Sequence, residues 1–367
     1  MGVLRRYRRR ARRALVAAWL RGRETLGYGA AALLRPWSRA AGRYWLTTWR
    51  ERRRREKLCL ARFCERRPDV AVAITCSGRH DGAGGQALAV MSAIAFALNH
   101  GCRYLHTPFW MVFHVQGDVE RWRQRWEAFF NLGHGEETLP ADAVIVRLPE
   151  YARMIRHSPA GHPGARLVCQ WVDFDFSELM QPATMALLRA RLRAKYFASD
   201  KSTVTTYRRA GAINVAVHLR RGDVGLDHGR YTHDGPSLAT IAALHAVAAS
   251  IGRTAAINVF SEGALDQFAP YAAAGCVLHI GTDPFEAFHN LVVADVLVTA
   301  SSQFSRAAAM LSNGIVINQT DRWGRDERWL KRTRDGRFDG ARLAQLLGQG
   351  SGISNQESEG VAPIFDP

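Results

Sequence analysis

The sequence lacks most of the features that would assign it at once. No apolar run approaches the about 18–20 residues that a membrane-spanning helix needs. The longest candidates in the N-terminal part are Ala14–Leu20 and Leu26–Leu34. The first has no small-residue cleavage site in the right place, so a secretory signal is not expected. Cysteines number six (Cys59, Cys64, Cys76, Cys102, Cys169 and Cys276), with no C-x-x-C pair and no Cys/His cluster of zinc spacing. Four of them lie in apolar segments, where a free cysteine acts as a small hydrophobe. Reduced core thiols in a cytoplasmic protein are expected rather than disulfides. Acidic residues are few, 33 against 50 Lys and Arg, so the formal net charge is +17.

That charge is concentrated at one end. Residues 1–57 hold 18 Lys and Arg against three Glu, a net of +15, which leaves +2 for residues 58–367. A nucleic-acid enzyme carries its basic face on the folded body, so nucleic acid is not an expected partner. The arm opens with Arg5, Arg6, Arg8, Arg9 and Arg10, and it interleaves Trp19, Trp37, Trp45 and Trp49. Cations for lipid phosphates and indoles for the headgroup level suit an anionic membrane surface. The plain alternative is a solvated helix or tail. A hydrophobic content of 47% is enough for real cores, and the length of 367 residues suits about two domains after the arm.

The body reads as alternating strands and helices. Val70–Thr75 is a continuous apolar run, the mark of a buried strand. A Gly-rich turn, Gly82–Gly85, and a long helix over Gln86–His100 follow it, with Gly101 as the stop. Strands are expected at Arg103–His106, Ala143–Leu148 and Leu167–Val172, and helices at Trp122–Leu132 and Ser177–Phe197. The second half is more regular. Strands Ile213–His218, Ala256–Phe260, Val277–Ile280, Val296–Thr299 and Ile315–Asn318 alternate with helices Ser237–Ser250, Ala264–Ala274, Pro284–Val292 and Ser302–Leu311. This alternation predicts a parallel sheet with helices on both faces, and ligands at the carboxyl ends of its strands. The expected divisions are a basic arm at 1–57, an N-terminal α/β domain at 58–205, a Rossmann-like domain at 206–349 and a Gly/Ser-rich tail at 350–367.

Three segments carry candidate chemistry. His218-Leu219-Arg220-Arg221-Gly222-Asp223 follows the strand Ile213–His218. An arginine fork makes paired, charge-assisted hydrogen bonds to phosphate and stays charged at any working pH. Gly222 permits a sharp turn, and Asp223 can orient an arginine or a sugar hydroxyl. The plain alternative is a surface Arg-Arg with a local ion pair. Thr299-Ala300-Ser301-Ser302-Gln303-Phe304-Ser305 follows another strand and opens a helix. Its hydroxyls can cap the helix, and the free N–H groups there attract phosphate. Asp81-Gly82-Ala83-Gly84-Gly85-Gln86 is a Gly-rich strand-to-helix turn, neither G-x-G-x-x-G nor a P-loop.

HLRRGD after a buried strand resembles the H-x-R-R-x-D motif of the fucosyltransferase superfamily. The stretch DVLVTASSQFSRAAAML is similar to that family's later strand-Ser-Ser-helix motif, and GAGGQALAVMSAIAFALNHG to its N-terminal turn and helix. The order agrees over about residues 70–320. The resemblance implies an α/β, GT-B-like fold of two Rossmann-like domains facing a cleft. It implies GDP-fucose as donor, a glycan acceptor, inversion at the anomeric carbon, and neither metal nor other cofactor.

Residue by residue, the resemblance gives Arg220 the β-phosphate and leaving-group departure, with Arg221 and His218 in support. Ser301, Ser302, Gln303 and Ser305 would bind phosphate or nucleotide, and Gly84, Gly85 and Gln86 the donor's sugar side. Asp223, Asp227, Asp81 and His80 are the candidates for deprotonating the acceptor. The single D-x-D, Asp173-Phe174-Asp175, stands apart from these motifs and is not taken as a metal site. With the basic arm, the implied setting is the inner face of the membrane, in surface polysaccharide or glycolipid synthesis. Another nucleotide sugar in the same site, or a membrane- or polyanion-binding protein without catalysis, are the alternatives.

Overall fold

The computed structural model describes residues 35–157, 166–171, 182–319 and 328–349. The features expected at 1–34, at Asp173–Asp175 and at 350–367 lie outside the described residues. Those described form two compact units.

The smaller unit holds two helices, α1 (Arg35–Arg66), where the reading of the arm offered a helix without bounds, and α4 (Leu148–His157), which the sequence reading did not anticipate. The expected end of the arm at residue 57 falls inside α1. Its basic run is threaded with acidic partners at helical spacing: Arg55 and Arg52 pair with Glu51 and Glu56 at 3.0 and 2.9 Å. α1 packs on α4 through the buried Leu60, Tyr151 and Ala152, and Cys59 Sγ lies 3.8 Å from the Ala152 carbonyl. No described helix is long and apolar enough to cross a membrane.

The larger unit contains both expected sheets. The first is built from β1 (Ala73–Thr75), β3 (Arg103–His106), β5 (Glu137–Thr138), β6 (Val144–Arg147) and β7 (Leu167–Gln170), in the order β5-β3-β1-β7-β6. The second is built from β8 (Ile213–His218), β9 (Ala255–Ser261), β10 (Val277–Ile280), β11 (Val296–Val298), β12 (Ile315–Asn318) and β13 (Trp329–Lys331). Its order is β10-β9-β8-β11-β12-β13. All pairings in both sheets are parallel. Renumbered from its own first strand, the second sheet runs 3-2-1-4-5-6, the strand order of the Rossmann fold. The expected α/β architecture of two parallel sheets is therefore present, the second in Rossmann order and the first, renumbered in the same way, in the order 3-2-1-5-4. A short parallel pair, β2 (His80–Asp81) with β4 (Met111–Val112), lies between β1 and the helix α3 (Val119–Phe130) in the chain.

The helices follow from the same physics. α2 (Ala83–His100) is buried over its first fifteen residues, and Gly101 ends it at φ 69°, its N–H on the Ala97 carbonyl. α5 (Pro182–Phe197) leads into the second half, where α6 (Asp234–Ser250) starts three residues before its expected Ser237. The helix expected over Ala264–Ala274 is broken. Leu265–Phe268 is a 3-10 turn, and α7 (Ala269–Ala273) begins anew with Pro270 in its first turn, where a missing N–H costs nothing. α8 (Pro284–Val293), α9 (Gln303–Leu311) and α10 (Gly340–Gln349) complete the set.

The second sheet's core gathers Val215, Val217, Val259, Val298 and Ile317, all at most 1% exposed. Between the two halves lies an aromatic cluster. Trp126 of α3 stacks on Phe285 of α8 at 4.0 Å between ring centres, Phe130 meets Phe288 at 4.8 Å, and Phe288 meets Phe304 of α9 at 5.1 Å.

Candidate active site

The two motifs of the second half leave the sheet on either side of its switch point. β8 and β11 are neighbours, but the chain order reverses between them, and the loops after their carboxyl ends diverge to leave a crevice. After β8 the buried Leu219 N–H donates to the Phe260 carbonyl at 3.0 Å, which carries the chain past the end of β9. Thr232 then brackets the next residue. Its Oγ1 accepts from Arg220 N at 2.9 Å, and its N–H donates to the Arg220 carbonyl at 3.1 Å. Gly222 turns at φ 81°, where a Cβ would come within 2.7 Å of Glu262 Cβ, so a side chain there is doubly excluded.

The backbone so fixed aims Arg220 across the crevice. Its Nη1 donates to Ser302 Oγ at 3.0 Å, its Nη2 pairs with Asp223, and its Nε is buried with no hydrogen-bond partner among the described residues. Ser302 caps α9 and accepts from Phe304 N at 3.3 Å. Both side chains border a cavity of about 600 Å³ in the larger unit, together with Asp223, Gln303, Asp81 and Gly82–Gly85. The N-termini of α9 and α2 therefore open onto one space, each bringing the positive end of a helix dipole.

Gly84 and Gly85 act through packing. A Cβ on Gly84 would lie 2.6 Å from Phe304 Cα, and one on Gly85 would meet Asp81 Cγ at 2.5 Å and Gln303 Oε1 at 2.7 Å. Glycine lets α2 and α9 touch backbone to backbone: the expected Gly-rich turn is the first turn of α2, and it packs on the first turn of α9.

Several predicted site residues spend their polar atoms inside the protein. Arg221 is 3% exposed. Its guanidinium pairs with Asp234, donates to Tyr271 Oη at 3.2 Å and the Thr232 carbonyl at 3.2 Å, and lies over Phe268 at 4.9 Å. Part of it borders the cavity, yet the fork is a tie between the Arg220 loop, α6 and α7. Gln86 is 2% exposed and lies outside the cavity lining. Its Nε2 donates to the Met111 carbonyl at 2.7 Å, and its Oε1 accepts from Trp110 N at 3.0 Å. Ser305 is fully buried, its Oγ accepting from Ala300 N at 3.2 Å, and Ser301 does not border the cavity. Direct ligand contact expected of Gln86 and Ser305 thus gives way to backbone support, because buried amides and hydroxyls must find partners. Asp227 and His80 are exposed and outside the lining, whereas Asp81 and Asp223 are within it. Asp81 pairs with Arg79 at 2.7 Å, and its Oδ1 accepts from Gly82 N at 2.9 Å.

His218 borders the cavity behind Arg220. Burial, with the Arg220 cation adding to it, pushes its imidazole down to about 3. Burial and Lys201 likewise push His289, which shares a hydrogen bond with Tyr196 Oη at 3.0 Å, down to about 4. Both rings are neutral in the folded protein at neutral pH. An unfolded histidine titrates near about 6.5, so below that pH the unfolded chain binds more protons than the folded one. Stability therefore rises with pH through this window and is lost as the pH falls from about 6.5 toward the folded values. Denaturant midpoints measured from pH 7.5 to 5.5, above most carboxylate titration, should fall with pH. His289→Asn should flatten the slope.

The sequence reading did not single out Thr232, Glu262, Thr282, His114 or Trp122 as site residues. Except for Thr232, which acts from behind the loop, they border the cavity. Glu262 and Thr282 follow β9 and β10, at the strand ends where a parallel sheet presents ligands, so a search of every strand end would have found them.

Among the described residues no group of three or more His, Cys, Asp or Glu could hold a metal ion. No family model matches the chain, and no curated protein matches it. Solved structures do. A mutant of Arabidopsis thaliana FUT1 in complex with GDP is 11% identical over 73% of this chain and 74% of that one, with a TM-score of 0.36. The fucosyltransferase NodZ from Bradyrhizobium is 12% identical over 66% and 93%, also at 0.36. NodZ alpha-1,6-fucosyltransferase co-crystallized with GDP is 13% identical over 73% and 97%, at 0.34. These fucosyltransferase structures are what the chain is similar to, at 11–13% identity.

Proposed function

We propose that this protein is an inverting glycosyltransferase of the fucosyltransferase type, moving fucose from GDP-fucose to a hydroxyl of a glycan without a metal ion. One observation carries the reading. Arg220 crosses the switch point of a Rossmann-ordered sheet to Ser302 at the N-terminus of α9, its buried Nε unpartnered, beside a cavity large enough for a nucleotide sugar. The HLRRGD and Ser-Ser-Gln motifs that resemble the family supply both groups.

The chemistry follows from charge. As the bond between the sugar's anomeric carbon and the phosphate oxygen breaks, positive charge develops on the sugar and negative charge on the departing GDP. Arg220, the Ser302 hydroxyl and the N-terminus of α9 are fixed before the reaction, so they stabilise that charge without reorganising. Neutral His218 packs behind Arg220 without adding a competing cation. The acceptor hydroxyl attacks the opposite face of the sugar and gives its proton to a carboxylate. Asp81 is the one carboxylate that the first half brings to the cavity lining among the described residues, and we assign it that role. Asp223 holds Arg220. The basic arm would keep the enzyme at an anionic membrane surface, near lipid-linked acceptors in surface-glycan synthesis.

Calorimetric titration with GDP, UDP and ADP, without divalent metal, tests the donor site. GDP-selective binding is the expected result; no nucleotide binding by well-folded protein would overturn the reading. Asp81→Asn keeps the acceptor for Gly82 N–H but removes the charge. It should lower kcat by about 10²–10⁴-fold, the usual worth of a positioned base, with GDP affinity little changed. Unaltered kcat would remove Asp81 from the mechanism.

A further inference from the structure

The segment between β3 and α3 combines a pinned backbone with exposed aromatic side chains. Phe109 N donates to Glu127 Oε2 at 2.8 Å, and the Phe109 carbonyl accepts from Arg123 Nη1 at 3.1 Å. Gln86 holds Trp110 N and the Met111 carbonyl, and Phe113 N donates to the Asp81 carbonyl at 3.0 Å. Glu127 is itself fixed by His106 Nε2 at 2.9 Å, and His106 Nδ1 by Tyr104 Oη at 3.0 Å. This polar framework presents Trp110 59% exposed, Phe113 46% and Val115 40%. A held backbone that turns large apolar groups outward marks a binding surface. His114, at the turn, adopts φ 59°, a left-handed conformation unfavourable for any residue with a Cβ, and such strain gathers at functional sites.

The surface is continuous with the cavity, because Phe113, His114 and Gln116 belong to both. Its charge selects the occupant. Residues 107–120 contain no Lys or Arg and end in Asp118 and Glu120, and the neighbouring Arg123 is turned to Glu120 and to the Phe109 carbonyl, so the segment itself supplies no cation for an anionic lipid. A pyranose ring offers an apolar C–H face to an aromatic ring and a rim of hydroxyls to polar side chains. Trp110 and Phe113 match the first, His114 and Gln116 the second.

We infer that residues 110–116 are the acceptor platform, on which a neutral oligosaccharide stacks against Trp110 and Phe113 while His114 and Gln116 guide one hydroxyl into the cavity. This rests on the glycosyl-transfer reading, but it can fail separately.

The test uses the full chain and saturation-transfer NMR with neutral di- to tetrasaccharides of glucose, galactose, mannose and N-acetylglucosamine, with and without GDP. At least one should bind. Trp110→Ala and Phe113→Ala should each weaken it about tenfold or more with unchanged thermal midpoints, and Trp110→Ala should leave GDP affinity within twofold. Absence of saccharide binding, or equal binding by the variants, overturns the platform. Equal saccharide binding with loss of co-sedimentation on phosphatidylglycerol vesicles would overturn it in favour of a lipid contact. Failure of the unaltered protein to bind GDP, with saccharide binding intact, overturns only the donor assignment.

Discussion

Arg220→Ala is expected to lower kcat/KM by about 10²–10³-fold or more, since a fixed donor aimed at developing charge contributes on that scale. GDP binding should weaken with it, because in the proposed function Arg220 and Ser302 would meet the same diphosphate before and during bond breaking. Lysine should not rescue the loss. Its ammonium restores the charge but not the fork that reaches Ser302 Oγ through Nη1 and Asp223 through Nη2. Folding should be nearly untouched, as the partly exposed pair with Asp223 contributes only about 0–1 kcal/mol. Steady-state kinetics with GDP-fucose, calorimetry with GDP and a denaturant titration together decide the matter. A variant that keeps full GDP affinity would show that the diphosphate lies elsewhere. A variant that unfolds would show that Arg220 is a structural residue like Arg221.

Trp126→Ala is expected to cost about 3–5 kcal/mol of stability, the usual range for emptying a buried aromatic site. Trp126 is 2% exposed and stacks on Phe285 at 4.0 Å, on Phe130 at 5.6 Å and edgewise on Phe129 at 5.7 Å. These rings come from α3 and α8, one helix from each half of the larger unit, so the cavity left by alanine would sit on the seam between the sheets. Trp126→Phe should recover most of the loss. It refills much of the volume and removes the indole N–H, which has no hydrogen-bond partner among the described residues. Urea midpoints of the three proteins provide the check. If alanine costs under about 1 kcal/mol, the seam collapses without penalty and the cluster does not hold the halves together.

Local pattern made much of the second half legible. β8, β10 and β12 are mostly apolar runs bounded by glycine or by polar turns, and their residue bounds coincide with the sequence reading. β8 and β12 are buried along almost their whole length, which calls for apolar residues at nearly every position, whereas β10 is an edge strand with Val277 exposed. The bounds of α1 and the whole of α4 were missed because their arginines mask the pattern; in α4 the buried set is Leu148, Tyr151, Ala152 and Ile155, at helical spacing beneath a polar face. β2, β4 and β5 have two residues each, too short for any periodicity.

The sequence by itself determined that this is an α/β protein with a basic N-terminal arm, and that an arginine pair and a Ser-Ser-Gln turn each follow a strand. Residue type and order suffice for that, since both are local. Only the tertiary structure decided which polar groups remain available to a ligand. Arg220 and Arg221 are chemically identical neighbours, yet one reaches Ser302, 82 residues away, at the cavity, and the other is bound to Asp234 and Tyr271 in the interior. Gln86 meets Met111, 25 residues on, and Gly84 meets Phe304 in the other half of the larger unit. A buried donor takes whatever acceptor the fold brings beside it, and that choice is fixed by packing rather than by the neighbouring sequence.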